Sequence, residues 1–137
     1  MAEAPRQSQG LIDTSVVIDL DHIDAEQLPM ELAISALTMA ELAAGPHATV
    51  DAGERARRQD RVQRAEASFD PLPFDGYSAR AYGRIYAAIV ATGRKARGHR
   101  AVDLLIAATA VAANLPLYTR NVDDFGGLEH LLTIVGV

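Results

Sequence analysis

Short apolar runs alternate along the chain with longer segments of helical periodicity or mixed charge. Leu11 and Ile12 form the first run, and both residues favour strands. Four further runs lie at residues 32–37, 71–74, 115–119 and 131–135. Pro71 and Pro73 place the second of these four at a sheet edge, because proline cannot donate a ladder hydrogen bond. The pattern predicts short strands separated by helical segments.

Helices are predicted in the intervals. Residues 15–21 form a short helix, and a second helix begins at Thr38. Residues 51–69 mix arginines with acids, which predicts a solvated helix with local ion pairs. Residues 78–92 repeat apolar side chains at helical spacing, whereas residues 100–113 are apolar on nearly every face and predict a buried helix. The alternation favours a three-layer α/β domain with a largely parallel sheet flanked by helices.

The composition narrows the class of protein. A chain of 137 residues fits one domain, which we place at residues 10–137 after a loose polar leader at residues 1–9. The formal charge of −5 argues against a strongly basic surface that binds nucleic acid everywhere. The chain has no cysteine and no apolar stretch long enough to span a membrane, so we expect a soluble cytoplasmic protein.

Acidic or amide side chains follow the predicted strands at one edge of the sheet. Asp13 comes directly after the first strand, residues 121–124 follow the strand at 115–119, and Glu41 and Asp103 lie early in helices that begin near that edge. Ordinary structural roles are open to each acid: Asp13 could cap a helix, Glu41 could complete a capping box with Thr38, and Asp103 could gain from the helix dipole.

Carboxylates that converge in a poorly solvated pocket repel one another, so such a cluster is costly unless a cation neutralises it. With oxygen ligands, no cysteine and no usable histidine pair, the expected cation is Mg²⁺, with Mn²⁺ as an alternative. A basic loop at residues 93–100 precedes Asp103 and contains Arg94, Lys95, Arg97 and Arg100. It is either a solvated loop or a patch that contacts phosphate.

Four short motifs in this order resemble the PIN-domain nucleases, and within them the VapC-type toxins of bacterial toxin–antitoxin modules. The motifs are Leu-Ile-Asp-Thr-Ser at 11–15, Ala-Glu-Leu at 40–42, Val-Asp-Leu-Leu-Ile-Ala-Ala at 102–108 and Thr-Arg-Asn-Val-Asp-Asp-Phe at 119–125. The resemblance covers essentially the whole chain after the leader. It implies a PIN-like α/β/α fold.

The resemblance also implies roles for individual residues. Asp13, Glu41 and Asp103 match the family's metal-holding acids. Asn121 stands where many relatives have aspartate, so the fourth ligand is either this amide or Asp124 three residues later. The side chains of Thr14 and Thr119 match polar positions that orient acids or waters. The basic residues proposed to steer RNA phosphate are Arg94, Lys95, Arg97 and Arg100.

The reaction implied is cleavage of an RNA phosphodiester by a water activated by one cation, while a second cation steadies the leaving oxygen. The implied partners are a small cognate antitoxin, the RNA substrate and a second copy of the chain in a homodimer. A catalytically weak PIN-like domain that only binds RNA or a protein is the alternative, because Asn121 brings no charge.

Two other classes fit less well. A receiver domain needs adjacent acids after its first strand and a lysine after its last, and neither is present. A haloacid-type phosphatase needs an aspartate two residues after the first one, where this chain has Ser15.

Overall fold

The computed structural model describes residues 6–94 and 99–137. Its sheet has four parallel strands in the order β2-β1-β3-β4. The strands are β1 (Gln9–Ile12), β2 (Glu31–Ala33), β3 (Leu117–Thr119) and β4 (Ile134–Gly136). The helices are α1 (Thr14–Ile18), α2 (Ala36–Ala44), α3 (Ala52–Ser68), α4 (Gly76–Ala91) and α5 (His99–Ala113). The predicted parallel α/β fold is confirmed.

Neighbouring residues of the central strands point to opposite faces of the sheet and enter different cores. Leu11 and Leu117 pack with Ile85, Leu104 and other side chains of α4 and α5. The next residues along the two strands, Ile12 and Tyr118, pack instead with the core on the side of α2 and α3. Because side chains alternate along a strand, each strand serves both cores. This arrangement gives the three layers, with helices on both faces of the sheet.

The second predicted strand is shorter than its apolar run, because a helix cap interrupts it. β2 ends at Ala33, and the Ser35 hydroxyl accepts a hydrogen bond from the backbone N–H of Thr38 at 3.0 Å. Ser35 is therefore the N-cap of α2, and the prediction that Thr38 caps this helix is wrong. Thr38 lies inside the helix and is fully buried.

Other boundaries also differ from the predicted ones. Residues 71–74 form no full strand, and Leu72 makes only an isolated parallel bridge to Ser35. Residues 6–9 are not a loose leader, since the Arg6 guanidinium donates to the carbonyls of Leu28 and Ala25 at 2.7 and 2.8 Å. Gln9 already belongs to β1. Residues 1–5 lie outside the described part of the chain.

The charged helix α3 is as predicted. Glu54 pairs with Arg57 and Arg58, and Arg64 pairs with Asp60. Hydrogen bonds from the two arginines are the main reason why the pKa of Glu54 lies below its usual value. Within residues 6–94 and 99–137, none of the helices has the length and apolar character needed to cross a membrane.

Candidate active site at the carboxyl edge of the sheet

Asp13 lies directly after the central strand β1 and is the N-cap of α1. Its backbone N–H donates to the Tyr118 carbonyl at 3.0 Å, so the residue is also tied to β3. The side chain is only 4% exposed. Its Oδ1 accepts hydrogen bonds from the Val16 N–H at 3.1 Å and from the Ser15 hydroxyl at 2.6 Å. Asp13 therefore has the predicted capping role, and the same bonds fix its carboxylate at the sheet edge.

Ser15 joins the Asp13 carboxylate to the loop after β3. Its hydroxyl donates to Asp13 Oδ1 and accepts a hydrogen bond from the backbone N–H of Arg120 at 3.1 Å. The two segments are 105 residues apart in sequence. Sequence reasoning assigned Ser15 to the motif but gave it no role in the site, because nothing local indicates its distant partner.

Glu41 is held next to Asp13 through Thr14. The Thr14 hydroxyl donates to Glu41 Oε1 at 2.6 Å and lies 3.1 Å from the Thr38 hydroxyl. Each hydroxyl carries one proton, so Thr14 donates to Glu41 and accepts from Thr38. The capping-box interpretation predicted that Glu41 reaches back to cap α2, and this prediction is wrong. Instead Glu41 faces the residue that follows Asp13.

The loop after β3 carries the fourth predicted position. Thr119 is buried at the end of the strand, and its hydroxyl accepts from the backbone N–H of Asn121 at 3.0 Å. Asn121 is exposed and precedes a 3₁₀ turn at Val122–Phe125, where Asp124 is half-buried. The Asp124 N–H donates to the Asn121 carbonyl at 3.0 Å. Thr119 therefore orients the loop backbone in this structure.

Asp103 lies half-buried in the second turn of α5. This helix packs against α2 and against the 3₁₀ turn after β3, so its N-terminal end lies near the same edge of the sheet. The topology thus brings Asp13, Glu41, Asp103 and the loop at residues 121–124 to one edge, on separate elements.

The two described basic residues of the loop at 93–100 are bonded to that same turn. Arg94 donates to the carbonyls of Asp123 and Gly126 at 2.9 and 3.3 Å, and Arg100 donates to the Asp124 carbonyl at 3.3 Å. Their guanidinium groups hold the turn and place positive charge beside it. Lys95 and Arg97 lie outside the described residues.

The oxygen atoms of these side chains are of the chemical type that binds a hard divalent cation. Within the described residues, Asp13 Oδ2 and Glu41 Oε2 accept no hydrogen bond, so each carboxylate keeps one oxygen for a ligand. Carboxylate and amide oxygens are the ligands that Mg²⁺ and Mn²⁺ prefer. In the same part of the chain, no three acidic or histidine side chains are grouped so that they could hold a metal ion as they stand.

The parallel sheet has helices on both faces, which defines an α/β/α domain. Domains of this class bind ligands at the carboxyl ends of their strands, where the acids of this chain lie. The sequence profile of the PIN domain matches residues 10–128. The chain belongs to the PIN domain family.

Individual relatives agree with this assignment. Ribonuclease VapC5 of Mycobacterium tuberculosis (strain ATCC 25618 / H37Rv) is 33% identical over 123 residues, which are 88% of this chain and 87% of that protein. The crystal structure of VapBC-5, a member of the VapBC family of toxin–antitoxin systems from the same species, matches with a TM-score of 0.84 at 32% identity. It covers 95% of this chain and 99% of that one.

A more distant structure shares the fold. VapBC2 from Rickettsia felis, solved bound to a DNA fragment from its promoter, matches with a TM-score of 0.74 at 21% identity. The match covers 94% of this chain and 98% of that one.

Proposed function

We propose that this chain is a VapC-type endoribonuclease that hydrolyses RNA phosphodiester bonds with Mg²⁺ or Mn²⁺ and acts as the toxin of a toxin–antitoxin pair in the cytoplasm. Family membership and the similarity to ribonuclease VapC5 support the reaction class. The observation that carries the proposal is the contact between Thr14 and Glu41, because it joins the second acid to the residue that directly follows Asp13.

The chain's own contribution is to hold its acids in fixed positions before RNA arrives. Ser15 and the N–H of Val16 orient Asp13 through Oδ1, and Thr14 orients Glu41 through Oε1. Hydrogen bonds of this kind to an ionised carboxylate are stronger than those between neutral groups. The side chains therefore lose little freedom when a substrate binds, which is the main requirement for positioning a phosphodiester.

Asp13, Glu41 and Asp103, with Asn121 or Asp124, are the residues that would hold the cation. When bound, it would offset the charge of the acids and generate a nucleophile from water at neutral pH. The guanidinium groups of Arg94 and Arg100 would add positive charge at the side where the turn lies and attract RNA to an edge that is otherwise acidic.

The partner we propose is a small antitoxin. VapBC-5, which is described as a member of the VapBC family of toxin–antitoxin systems, is among the similar structures. We also propose that the chain forms a homodimer, which light scattering on the purified protein would show as a mass of twice the single-chain value.

The cleavage test compares the protein, freed of copurified partner, with its Asp13→Asn variant on total RNA with Mg²⁺ or Mn²⁺. Asparagine caps a helix as well as aspartate does, so this variant keeps α1 but removes the charge. Asp70→Asn is the matched control, because it makes the same chemical change at an exposed position outside the site. We expect cleavage by the wild type and by Asp70→Asn, and its loss in Asp13→Asn and in EDTA.

Equal RNA patterns for the wild type and Asp13→Asn would overturn the nuclease proposal. The exposed amide of Asn121, in place of an acid, is the observation that favours the alternative, a PIN-like domain that binds RNA or a protein without cleaving. RNA binding without cleavage by the wild type would support that alternative.

A further inference from the structure

One arginine of α3 differs from the other four in having no partner among residues 6–94 and 99–137. Arg55 donates to backbone carbonyls of Pro46 and Thr49 at 3.1 and 3.0 Å. The other partnered arginines are ion-paired: Arg57 and Arg58 with Glu54, and Arg64 with Asp60 and Asp21. The half-buried Arg61 makes no hydrogen bond or ion pair with any described residue. Its guanidinium keeps all of its donors.

Arg61 stands where two clefts meet. One cleft, of about 320 Å³, begins at Thr14 and Glu41 and is bordered by α3. The other, of about 290 Å³, continues between α1 and α3 as far as Phe69. Arg61 and Ile18 line both clefts, so the two clefts adjoin at these residues, and together they are called the groove. Ile18 is 46% exposed and offers an apolar surface in its middle.

The groove is lined by three acids and three arginines, and Arg61 is the arginine among them that forms no ion pair with a described residue. Its acids other than Glu41 are already paired, since Glu54 is bound by two arginines and Asp21 lies 3.6 Å from Arg64. Glu41 accepts its hydrogen bond from Thr14 and forms no ion pair among the described residues. A planar guanidinium with free donors matches the oxygens of a phosphate group, to which it can bind with two parallel hydrogen bonds.

We propose that Arg61 is a phosphate subsite for the RNA strand, binding a phosphate next to the one at the acidic edge, while Ile18 contacts the sugar or base between them. This inference rests on the proposed function, which places an RNA phosphodiester at Glu41. The strand must continue from that point, and Arg61 lines the same cleft as Glu41 and is not paired with any described residue.

The test measures binding of a fluorescein-labelled single-stranded RNA of mixed sequence, about 12 nucleotides long to span the groove, by anisotropy at several salt concentrations without divalent metal. The variants are Arg61→Ala, Arg61→Lys and Arg57→Ala. Arg57 is the matched control, because it lies on the same helix and carries the same charge but lines neither cleft, and Arg58 still pairs with Glu54 when Arg57 is replaced. Losing one phosphate contact to a single strand should lower the salt slope by about 0.7 and weaken binding about five-fold at 0.1 M salt.

We expect this loss for Arg61→Ala, wild-type binding for Arg57→Ala, and a near-normal salt slope for Arg61→Lys, which keeps the charge. Equal salt slopes for Arg61→Ala and Arg57→Ala would overturn the subsite. The subsite would also be overturned if Arg61→Ala changed the binding of a partner protein and left RNA binding unaltered, because the groove would then bind a protein.

Cleavage of total RNA by the wild type distinguishes a failure of the Arg61 subsite from a failure of the proposed function. If the wild type cleaves RNA and Arg61→Ala binds the oligonucleotide like Arg57→Ala, only the subsite is wrong. If the wild type neither binds nor cleaves RNA, the proposed function and the subsite fail together. Equal melting temperatures of the variants show that any loss is not due to unfolding.

Discussion

The two halves of the candidate site are constructed differently. Around Asp13 and Glu41, side-chain hydroxyls bond directly to the carboxylates, and the residues lie on or directly beside regular elements of the sheet edge. Around residues 121–124, the contacts are made by backbone groups, and Arg94 and Arg100 hold the turn by its carbonyls. The first half fixes the acids themselves, whereas the second fixes only the backbone that carries them.

This difference matters for what each half can do. A carboxylate oriented by hydroxyl groups keeps its position when its charge is needed, which suits a central ligand. An exposed amide such as Asn121, on a turn held by its backbone, can adjust to whatever binds. We therefore expect substitutions in the first half to cost more activity than those in the second.

The largest effect in this comparison is expected for Ser15→Ala. The change removes the hydroxyl that orients Asp13 and accepts from the Arg120 N–H, while the Val16 N–H still caps. Loss of an orienting hydrogen bond of this type typically costs about 10- to 100-fold in activity. RNA cleavage rates should show it, with exposed Ser8→Ala as the control. A Ser15→Ala enzyme as fast as the Ser8→Ala enzyme would mean that this bridge is dispensable.

A smaller effect is expected for Arg94→Gln. The substitution weakens the hold on the turn at Asp123 and Gly126 and removes one positive charge. Cleavage should slow by about five-fold at 0.1 M salt, because one electrostatic contact to single-stranded RNA contributes about this much to binding. The loss should be smaller at higher salt. If the loss matched that of Ser15→Ala and did not depend on salt, the turn would be as central as the Asp13 half.

The smallest effect on activity is expected far from the site, for Asp75→Ala at the start of α4. The Ser78 N–H donates to the Asp75 carboxylate at 2.9 Å and holds its pKa below the usual value. A lowered pKa in the folded state means that this stabilisation is full above the unfolded pKa and is lost as the pH falls through the folded one.

The melting temperature should therefore fall less between pH 7 and acid for Asp75→Ala than for the wild type. RNA cleavage by Asp75→Ala at pH 7 should be retained. An unchanged acid dependence of the melting temperature would show that this cap does not contribute to it.

Much of the fold was predictable because local patterns agree with it. The ends of β1 and β3, the alternation and the charged helix α3 are visible in the sequence, and Asp13 follows the first apolar run. The capping role left open for Glu41 was wrong, because Ser35 and not Thr38 caps α2. The actual contact of Glu41, with Thr14, spans 27 residues.

Two features could not be predicted from spacing. Ser15 acts through the backbone of Arg120, and Arg61 stands out only because its neighbours pair with described residues whereas Arg61 does not. Both depend on which distant groups the fold brings together, and local sequence does not record that. The two described arginines of the basic segment at 93–100 lie beside the turn after β3, and the role of this segment in steering RNA stays a prediction.

The most direct test of the account is calorimetric titration of Mn²⁺ into the wild type, Asp13→Asn and Asp70→Asn. If Asp13 is the central ligand of the site, the wild type and Asp70→Asn should bind Mn²⁺ with the same affinity, and Asp13→Asn should show at least about a tenfold loss. Equal Mn²⁺ binding by all three proteins would contradict the central role of Asp13.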